Sequence, residues 1–157
     1  MSMIGYLTPI SAGQFDALNR EPDGVSDLVR HENSHDLDKA WHGLHFLLTG
    51  KAWGGAPPLG HAIVGGAATG PDQGYGPAML VTPAQVAEVA LALAAVTEET
   101  LRGRYDPKAM DEQHIYPTVW AREGTEGLAW LLHYLSPLKQ FYAEAAHRGD
   151  AVLQWIA

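Results

Sequence analysis

The chain has 157 residues, of which 46% are hydrophobic and 18% are charged, as in ordinary folded proteins. Its 18 acidic and 10 basic side chains give a formal net charge of −8, which repels the phosphates of nucleic acids. The basic residues are dispersed among acids, which disfavours binding to an anionic membrane surface. We therefore expect neither a nucleic acid nor a membrane as partner, and we favour a basic protein or a small molecule.

Further classes are excluded by the absence of cysteine, which rules out disulfides, thiol nucleophiles and thiolate metal sites. The length suits one domain, residues 1–157, with a single hydrophobic core. The first eleven residues lack the pattern of a signal peptide, and the longest near-apolar run, residues 86–96, is too short to span a bilayer. A cytoplasmic location is therefore expected.

The beginning of the chain predicts a strand followed by two helices. Residues 3–7 favour a short strand, which Pro9 is expected to stop. Ser11 and Gln14 have the spacing of a capping box and so predict the start of a helix. Residues 25–30 favour a second short helix.

A longer helix is predicted over residues 38–49, because an aspartate precedes its apolar residues and Gly50 follows them. The glycine-rich stretch 51–76 then predicts a long ordered loop around one strand at residues 62–64. Loops of this length are often functional. Residues 78–81 predict another strand.

The middle of the chain is predicted to be mainly helical. Thr82 is the expected N-cap of a helix over residues 83–96, and residues 97–104 are expected to continue it after a new cap. Residues 106–113 favour one more short helix. The segment Ile115-Tyr116-Pro117 is expected to be extended, because the residue before a proline avoids the helical conformation.

The last third predicts helix followed by a strand. Leucines recur there at helical spacing, but Pro137 is expected either to kink this helix or to break it, with Ser136 capping the new helix. Gly149 marks the end, and residues 151–156 favour a final strand beside the first one. The fold class predicted is α+β: a single compact domain in which several helices pack on a small sheet that includes the N- and C-terminal strands.

The string His31-Glu32-Asn33-Ser34-His35 matches the H-E-x-x-H pattern of zinc hydrolases. In that pattern two histidines on one helix face bind the metal and the glutamate acts as base. Asn33 and Ser34 are weak helix formers and no apolar periodicity flanks the string, so a solvated turn is the favoured interpretation. A metal site at His31, Glu32 and His35 is kept only as an alternative.

The predicted helix 38–49 places Asp38, Trp41 and His45 along one stripe. Polar and aromatic groups side by side suggest a pocket wall. The alternative interpretation is a core histidine satisfied by a nearby carboxylate or carbonyl. Together with the glycine-rich loop and the Tyr116-Pro117 segment, this stripe gives a set of candidate ligand-binding residues: Asp38, Lys39, Trp41, His42, His45, Tyr75 and Tyr116.

Several blocks of this sequence resemble the YfbM-like family of bacterial proteins of unknown function. The blocks are residues 3–6, 37–50, 58–66, 74–78, 82–83, 115–117 and 141–152, of which 37–50 (Leu-Asp-Lys-Ala-Trp-His-Gly-Leu-His-Phe-Leu-Leu-Thr-Gly) is the most specific. The resemblance implies a single-domain α+β fold, and it implies no activity, because the family has none assigned. Asp38, Lys39, Trp41 and His45 fall inside the specific block, whereas the His31–His35 string lies outside it.

These observations favour a small binding domain without assigned catalytic activity and without a cofactor. Its pocket is predicted between the 38–49 helix, the glycine-rich loop and Tyr116. Two alternatives stay open: an acidic module that captures a basic protein, as immunity proteins and inhibitors do, and a zinc-dependent hydrolase that uses the His31–His35 string.

Overall fold

A computed structural model describes residues 2–157 of the chain and contains one five-stranded sheet. All neighbouring strands are antiparallel, and their order is β2-β1-β5-β4-β3. The strands are β1 (Gly5–Ile10), β2 (His35–Asp38), β3 (Ala67–Asp72), β4 (Pro77–Val81) and β5 (Ala151–Ile156). The predicted pairing of the first strand with the last is confirmed, as is the α+β class.

Helices occupy most of the remaining chain. They are α1 (Ala12–Arg20), α2 (Val25–Leu28), α3 (Trp41–Thr49), α4 (Pro83–Ala94), α5 (Glu98–Arg104), α6 (Pro107–Glu112), α7 (Trp120–Glu123), α8 (Thr125–Leu132) and α9 (Leu135–Arg148). Short 3₁₀ turns lie at Pro22–Gly24, His31–Asn33 and Leu59–His61. Within the described residues, every helix is too short or too polar to cross a membrane.

The sheet is covered on both faces, because side chains of a strand alternate between its two sides. On one face Val152 and Ile156 of β5 join the large core formed with α3, α4, α8 and α9. On the other face Leu153 and Trp155 join a smaller cluster that includes Leu18 of α1 and Val25 of α2. Every residue of β5 is therefore buried.

Several of the predicted helix caps are present. Ser11 and Thr82 each accept a hydrogen bond from the backbone N–H three residues on, and the glutamines at those positions bond back, so both capping boxes are complete. Gly50 ends α3 with φ 76° and Gly149 ends α9 with φ 73°, a left-handed conformation that favours glycine.

The first strand is longer than predicted, since β1 includes Pro9 and continues to Ile10. Ile4 exchanges both backbone hydrogen bonds with Ala157, so alternate residues after it bond to β5. The nitrogen of Pro9 therefore points toward the β2 side, where β2 pairs only with residues 5–7. Its missing N–H leaves no ladder bond unmade, which explains why this proline does not end the strand.

The prediction of a strand at residues 62–64 is wrong. These residues are buried coil after a 3₁₀ turn, and the strand of this region is β3. Side chains satisfy the backbone in place of a ladder: Gln154 Oε1 accepts from Gly65 and Gly66 N–H at 3.0 Å each, and the Tyr142 hydroxyl donates to the Ala62 carbonyl. The apolar character of the segment thus reflects burial and not strand pairing.

The third helix begins later than predicted. Asp38 is the last residue of β2, with φ 48°, and its backbone N–H donates to the Asp36 carboxylate at 2.7 Å. α3 starts at Trp41 after Ala40. Asp38 therefore does not extend the stripe of Trp41 and His45.

Pro137 breaks the last helical region and does not kink it. α8 ends at Leu132 and α9 starts at Leu135, so Pro137 lies in the first turn of α9, where no intrahelical acceptor exists for its missing N–H. Ser136 lies inside α9 and is not its N-cap, a position held by Tyr134.

Candidate functional site

A cleft of about 210 Å³ lies where the N-terminal end of α3 meets two loops and the ends of the central strands. Most of its lining side chains are aromatic, and none is a lysine, arginine, aspartate or glutamate. The lining residues are Met3, Trp41, His42, Trp53, Tyr75, His114, Tyr116, Thr118 and Ile156.

Four rings pack together along one side of this cleft. The rings of Trp41 and His42 are stacked, with centroids 4.8 Å apart and planes within 8°. Trp53 is tilted against both, at 4.6 Å and 40° from His42 and at 5.9 Å and 45° from Trp41. Tyr116 lies 5.9 Å from Trp41 at 21°. The aromatic side chains thus present ring faces in more than one direction.

His42 connects the two loops to α3 through both of its ring nitrogens. The backbone N–H of Tyr116 donates to Nδ1 at 2.8 Å, so this nitrogen is unprotonated. Nε2 therefore carries the proton and donates to the Ala52 carbonyl at 2.9 Å. Burial lowers the pKa of His42, and the Ala52 carbonyl opposes this only in part. The ring is held neutral in a single orientation.

The floor of the cleft is anchored to the start of β1. Trp41 Nε1 donates to the Met3 carbonyl at 3.0 Å, and the Met3 backbone N–H donates to the Tyr116 hydroxyl, also at 3.0 Å. A Cβ on Gly5 would lie 2.6 Å from the Trp41 Cβ. Glycine at position 5 is therefore needed for the close approach of the strand to Trp41.

Two large side chains of the cleft are open to solvent. Trp53 is 59% exposed and Tyr75 is 42% exposed. The remaining exposed large hydrophobic residue of the described chain, Leu91 at 77%, lies on α4 away from the cleft. The Asp72 carboxylate holds the turn that presents Tyr75, accepting from Gly74 N–H at 2.6 Å and from Gly76 N–H at 3.2 Å.

The structure brings four of the seven sequence-predicted residues together in this cleft, namely Trp41, His42, Tyr75 and Tyr116. Asp38 and Lys39 do not line it, because the chain turns between β2 and α3 before the cleft is reached.

His45 is a core residue and not part of the cleft wall. It is 0% exposed, and its Nε2 donates to the Gly54 carbonyl at 2.7 Å. Burial lowers its pKa to about 4, with the Gly54 carbonyl opposing and His42 adding to the effect. Its Nδ1 has no hydrogen-bond partner. A carbonyl thus satisfies one ring nitrogen, as the alternative interpretation had it.

Five lining residues were missed by the sequence reasoning: Met3, Trp53, His114, Thr118 and Ile156. Trp53 carries a usable signal, since it is a large aromatic residue in a glycine- and proline-rich loop. His114 and Thr118 adopt φ values of 55° and 63°, which flank the turn at Tyr116. Positive φ is uncommon even for histidine and is rare for a β-branched residue such as threonine, so residue type did not predict these conformations.

Comparison with known proteins gives the family. A family model described as "Domain of unknown function (DUF1877)" matches residues 1–155. The chain belongs to this family. It is similar to Protein YfbM of Escherichia coli (strain K12), with 31% identity over 168 residues covering 99% of each protein. It is also similar to the crystal structure of YfbM from Escherichia coli, a protein of unknown function, with a TM-score of 0.79 and 26% identity over 98% of this chain and 99% of that one.

In this DUF1877 member the His31–His35 string does not form the helix that a zinc site of its type needs. Residues 31–33 are a 3₁₀ turn, and β2 begins at His35. The His31 ring stacks on Tyr6 and Trp155, at 4.8 and 5.3 Å, whereas His35 stacks on Phe141 of α9 at 5.3 Å.

The two imidazoles consequently lie on opposite faces of the sheet, since Trp155 belongs to the smaller cluster and Phe141 packs against the large core. Glu32 is exposed. Within residues 2–157, no three histidine, aspartate or glutamate side chains are grouped so that they could hold a metal ion. The donor geometry is therefore incompatible with the hydrolase alternative.

Proposed function

We propose that this DUF1877 member is a small-molecule binding domain whose site is the aromatic cleft. The observation that carries the proposal is that Trp53 and Tyr75, two of the three exposed large hydrophobic side chains within residues 2–157, line one cleft. Exposed aromatic surface is costly to keep in water and, when it is grouped, marks binding sites.

The cleft is preorganised, which lowers the entropic cost of binding. His42 is fixed by two hydrogen bonds, Trp41 and Tyr116 are fixed through Met3, and Trp53 rests on His42 and Trp41. Binding of a ligand would therefore restrict the motion of few groups other than the exposed parts of Trp53 and Tyr75.

The size of the cleft limits what it can hold. Sites for drug-sized ligands and cofactors usually enclose about 300–1,000 Å³, and this cleft encloses about 210 Å³. It fits one ring or one head group, with the rest of a larger molecule left in solvent.

Binding is favoured over catalysis by the state of His42. Both of its ring nitrogens are bound to backbone groups, so it offers neither a base nor a nucleophile to a ligand. The other lining histidine, His114, is exposed, and the lining contains no carboxylate that could orient it as a base.

The test is a ligand screen by saturation-transfer difference NMR with small aromatic and small aliphatic head-group compounds. Bound compounds are expected to lose their signal in Trp53→Ala and in Tyr75→Ala. They should keep it in Leu91→Ala, a control that removes an exposed hydrophobic side chain outside the cleft. Thermal unfolding of each variant checks that the fold is retained.

The proposal fails if no compound binds, or if the compounds that bind are unaffected by both cleft substitutions. The cytoplasmic location expected from the sequence is part of the proposal, and fractionation of expressing cells tests it.

A further inference from the structure

We infer that the aromatic cleft selects a quaternary ammonium head group, such as a trimethylammonium, which it holds against the faces of Trp53 and Tyr75. This inference rests on the proposed function and names its ligand class. Three features support it: the chemistry of the cleft lining, the charge of the chain, and the size of the cleft.

The lining chemistry favours a cation that forms no hydrogen bonds. Aromatic faces carry the negative part of the ring quadrupole and attract cations. No carboxylate lines the cleft. The acidic residue of the Tyr75 loop, Asp72, already accepts hydrogen bonds from the backbone N–H groups of Gly74 and Gly76. A primary ammonium or a guanidinium would lose its water without gaining a carboxylate partner, whereas a quaternary ammonium has no N–H to satisfy.

The charge balance favours a cation over an anion. The chain carries a formal net charge of −8, which raises the local concentration of cations at low ionic strength. No lysine or arginine lines the cleft to oppose them. Of the two histidines in the lining, His42 is held in its neutral form by two hydrogen bonds, and His114 is exposed to solvent.

The size of the cleft favours a compact, rounded head group. Trp53 packs against His42 and Trp41, with ring centroids 4.6 and 5.9 Å apart, so no ligand fits between these rings. The aromatic surface left for a ligand is that of the two exposed side chains, Trp53 and Tyr75. The volume of about 210 Å³ accommodates one such group.

The experiment compares three probes on the full chain by isothermal titration calorimetry at low salt. Choline is the quaternary cation, 3,3-dimethylbutan-1-ol is its uncharged analogue of the same shape, and ethanolamine is the primary ammonium. Choline is expected to bind about tenfold or more tightly than either of the others. Its binding should weaken as salt is added.

Substitution by leucine separates aromatic attraction from simple apolar contact. Trp53→Leu and Tyr75→Leu keep apolar surface but remove the π face, so each is expected to weaken choline binding about tenfold and to change binding of the uncharged alcohol little. Leu91→Ala is the control and should leave all three probes unchanged. Because Trp53 and Tyr75 are exposed, these variants are expected to fold, and thermal unfolding confirms it.

The outcomes distinguish the two claims. Equal binding of choline and the alcohol, or binding of choline that survives both leucine substitutions, overturns the cation inference and leaves the binding domain standing. Failure of choline to bind, while other compounds bind at the cleft in the NMR screen, has the same meaning. Failure of every compound to bind overturns both.

Discussion

The buried imidazole of His45 should make the fold sensitive to mild acid. This side chain is 0% exposed, and the Gly54 carbonyl accepts its Nε2 proton while Nδ1 stays unprotonated without a partner. Adding a second proton would place a positive charge in the core beside His42, with no carboxylate to pair with it. The unfolded chain takes up that proton freely.

The magnitude follows from the shift in the pKa of His45, from 6.5 to about 4. Each pKa unit corresponds to about 1.4 kcal/mol, so the difference is worth about 3 kcal/mol. Because the pKa is lower in the folded state, the unfolded state binds more protons between these values. The full stability is present above about pH 6.5 and is lost as the pH falls toward about 4.

The assay is urea unfolding of the native chain and of His45→Gln at a series of pH values across this window. Glutamine keeps an amide donor for Gly54 but does not titrate. The free energy of unfolding of the variant should therefore fall less steeply with decreasing pH than that of the native chain, and the two slopes should differ by about 1 kcal/mol per pH unit. Burial also lowers the pKa of His42 and of His35, so part of the slope should remain.

His147→Gln is the control for this experiment. His147 is exposed in the last turn of α9, so its substitution removes a histidine from the chain without disturbing the core. Parallel curves for the native chain and His45→Gln between about pH 4.5 and 6.5 would refute the argument, because they would show that the His45 proton does not contribute to the acid sensitivity.

Three further substitutions test the packing of the fold by chemical unfolding. Gly65→Ala should cost about 3 kcal/mol or more, because its Cβ would overlap the Gly60 carbonyl oxygen; a loss below about 1 kcal/mol would mean that the loop moves freely. Gln154→Leu should cost about 3 kcal/mol, since Gly65 and Gly66 N–H would be buried without an acceptor; a neutral result would show that water replaces the amide. Thr82→Ala should cost about 1 kcal/mol by removing the capping box of α4, whereas an unchanged midpoint would contradict that role.

Local signals in the sequence were sufficient for several helix ends, although not for the start of α3 or of α9. The two capping boxes and the glycines at the ends of α3 and α9 lie where the sequence placed them, because a cap depends on residues within three or four positions of each other. The strand character of β5 and its pairing with β1 were also predictable, since the strongly apolar ends of the chain need a shared core.

Signals that depend on distant partners were misinterpreted. The apolar run at residues 62–64 is equally compatible with a strand and with buried coil, and only Gln154 and Tyr142, which follow it by 80 residues or more, decide between them. Likewise Pro9 is compatible with a strand only because the pairing of β2 with β1 stops at Leu7.

In the candidate site, too, some features could be predicted from local sequence and others depend on distant contacts. Trp41, His42, Tyr75 and Tyr116 could be proposed from residue type and position, but Trp53 joins them only because His42 holds the loop after α3 through Ala52. The His31–His35 string matches a metal-binding pattern in the sequence. In the structure β2 begins at His35, and the two imidazoles lie on opposite faces of the sheet.

The sequence by itself thus determined the fold class, the helix caps and the pairing of the terminal strands, because these follow from apolar periodicity and short-range hydrogen bonds. The tertiary structure alone decided which aromatic residues share a cleft and which histidines are buried neutral in the core. Those properties depend on contacts between residues far apart in the chain, and local sequence patterns do not encode such contacts.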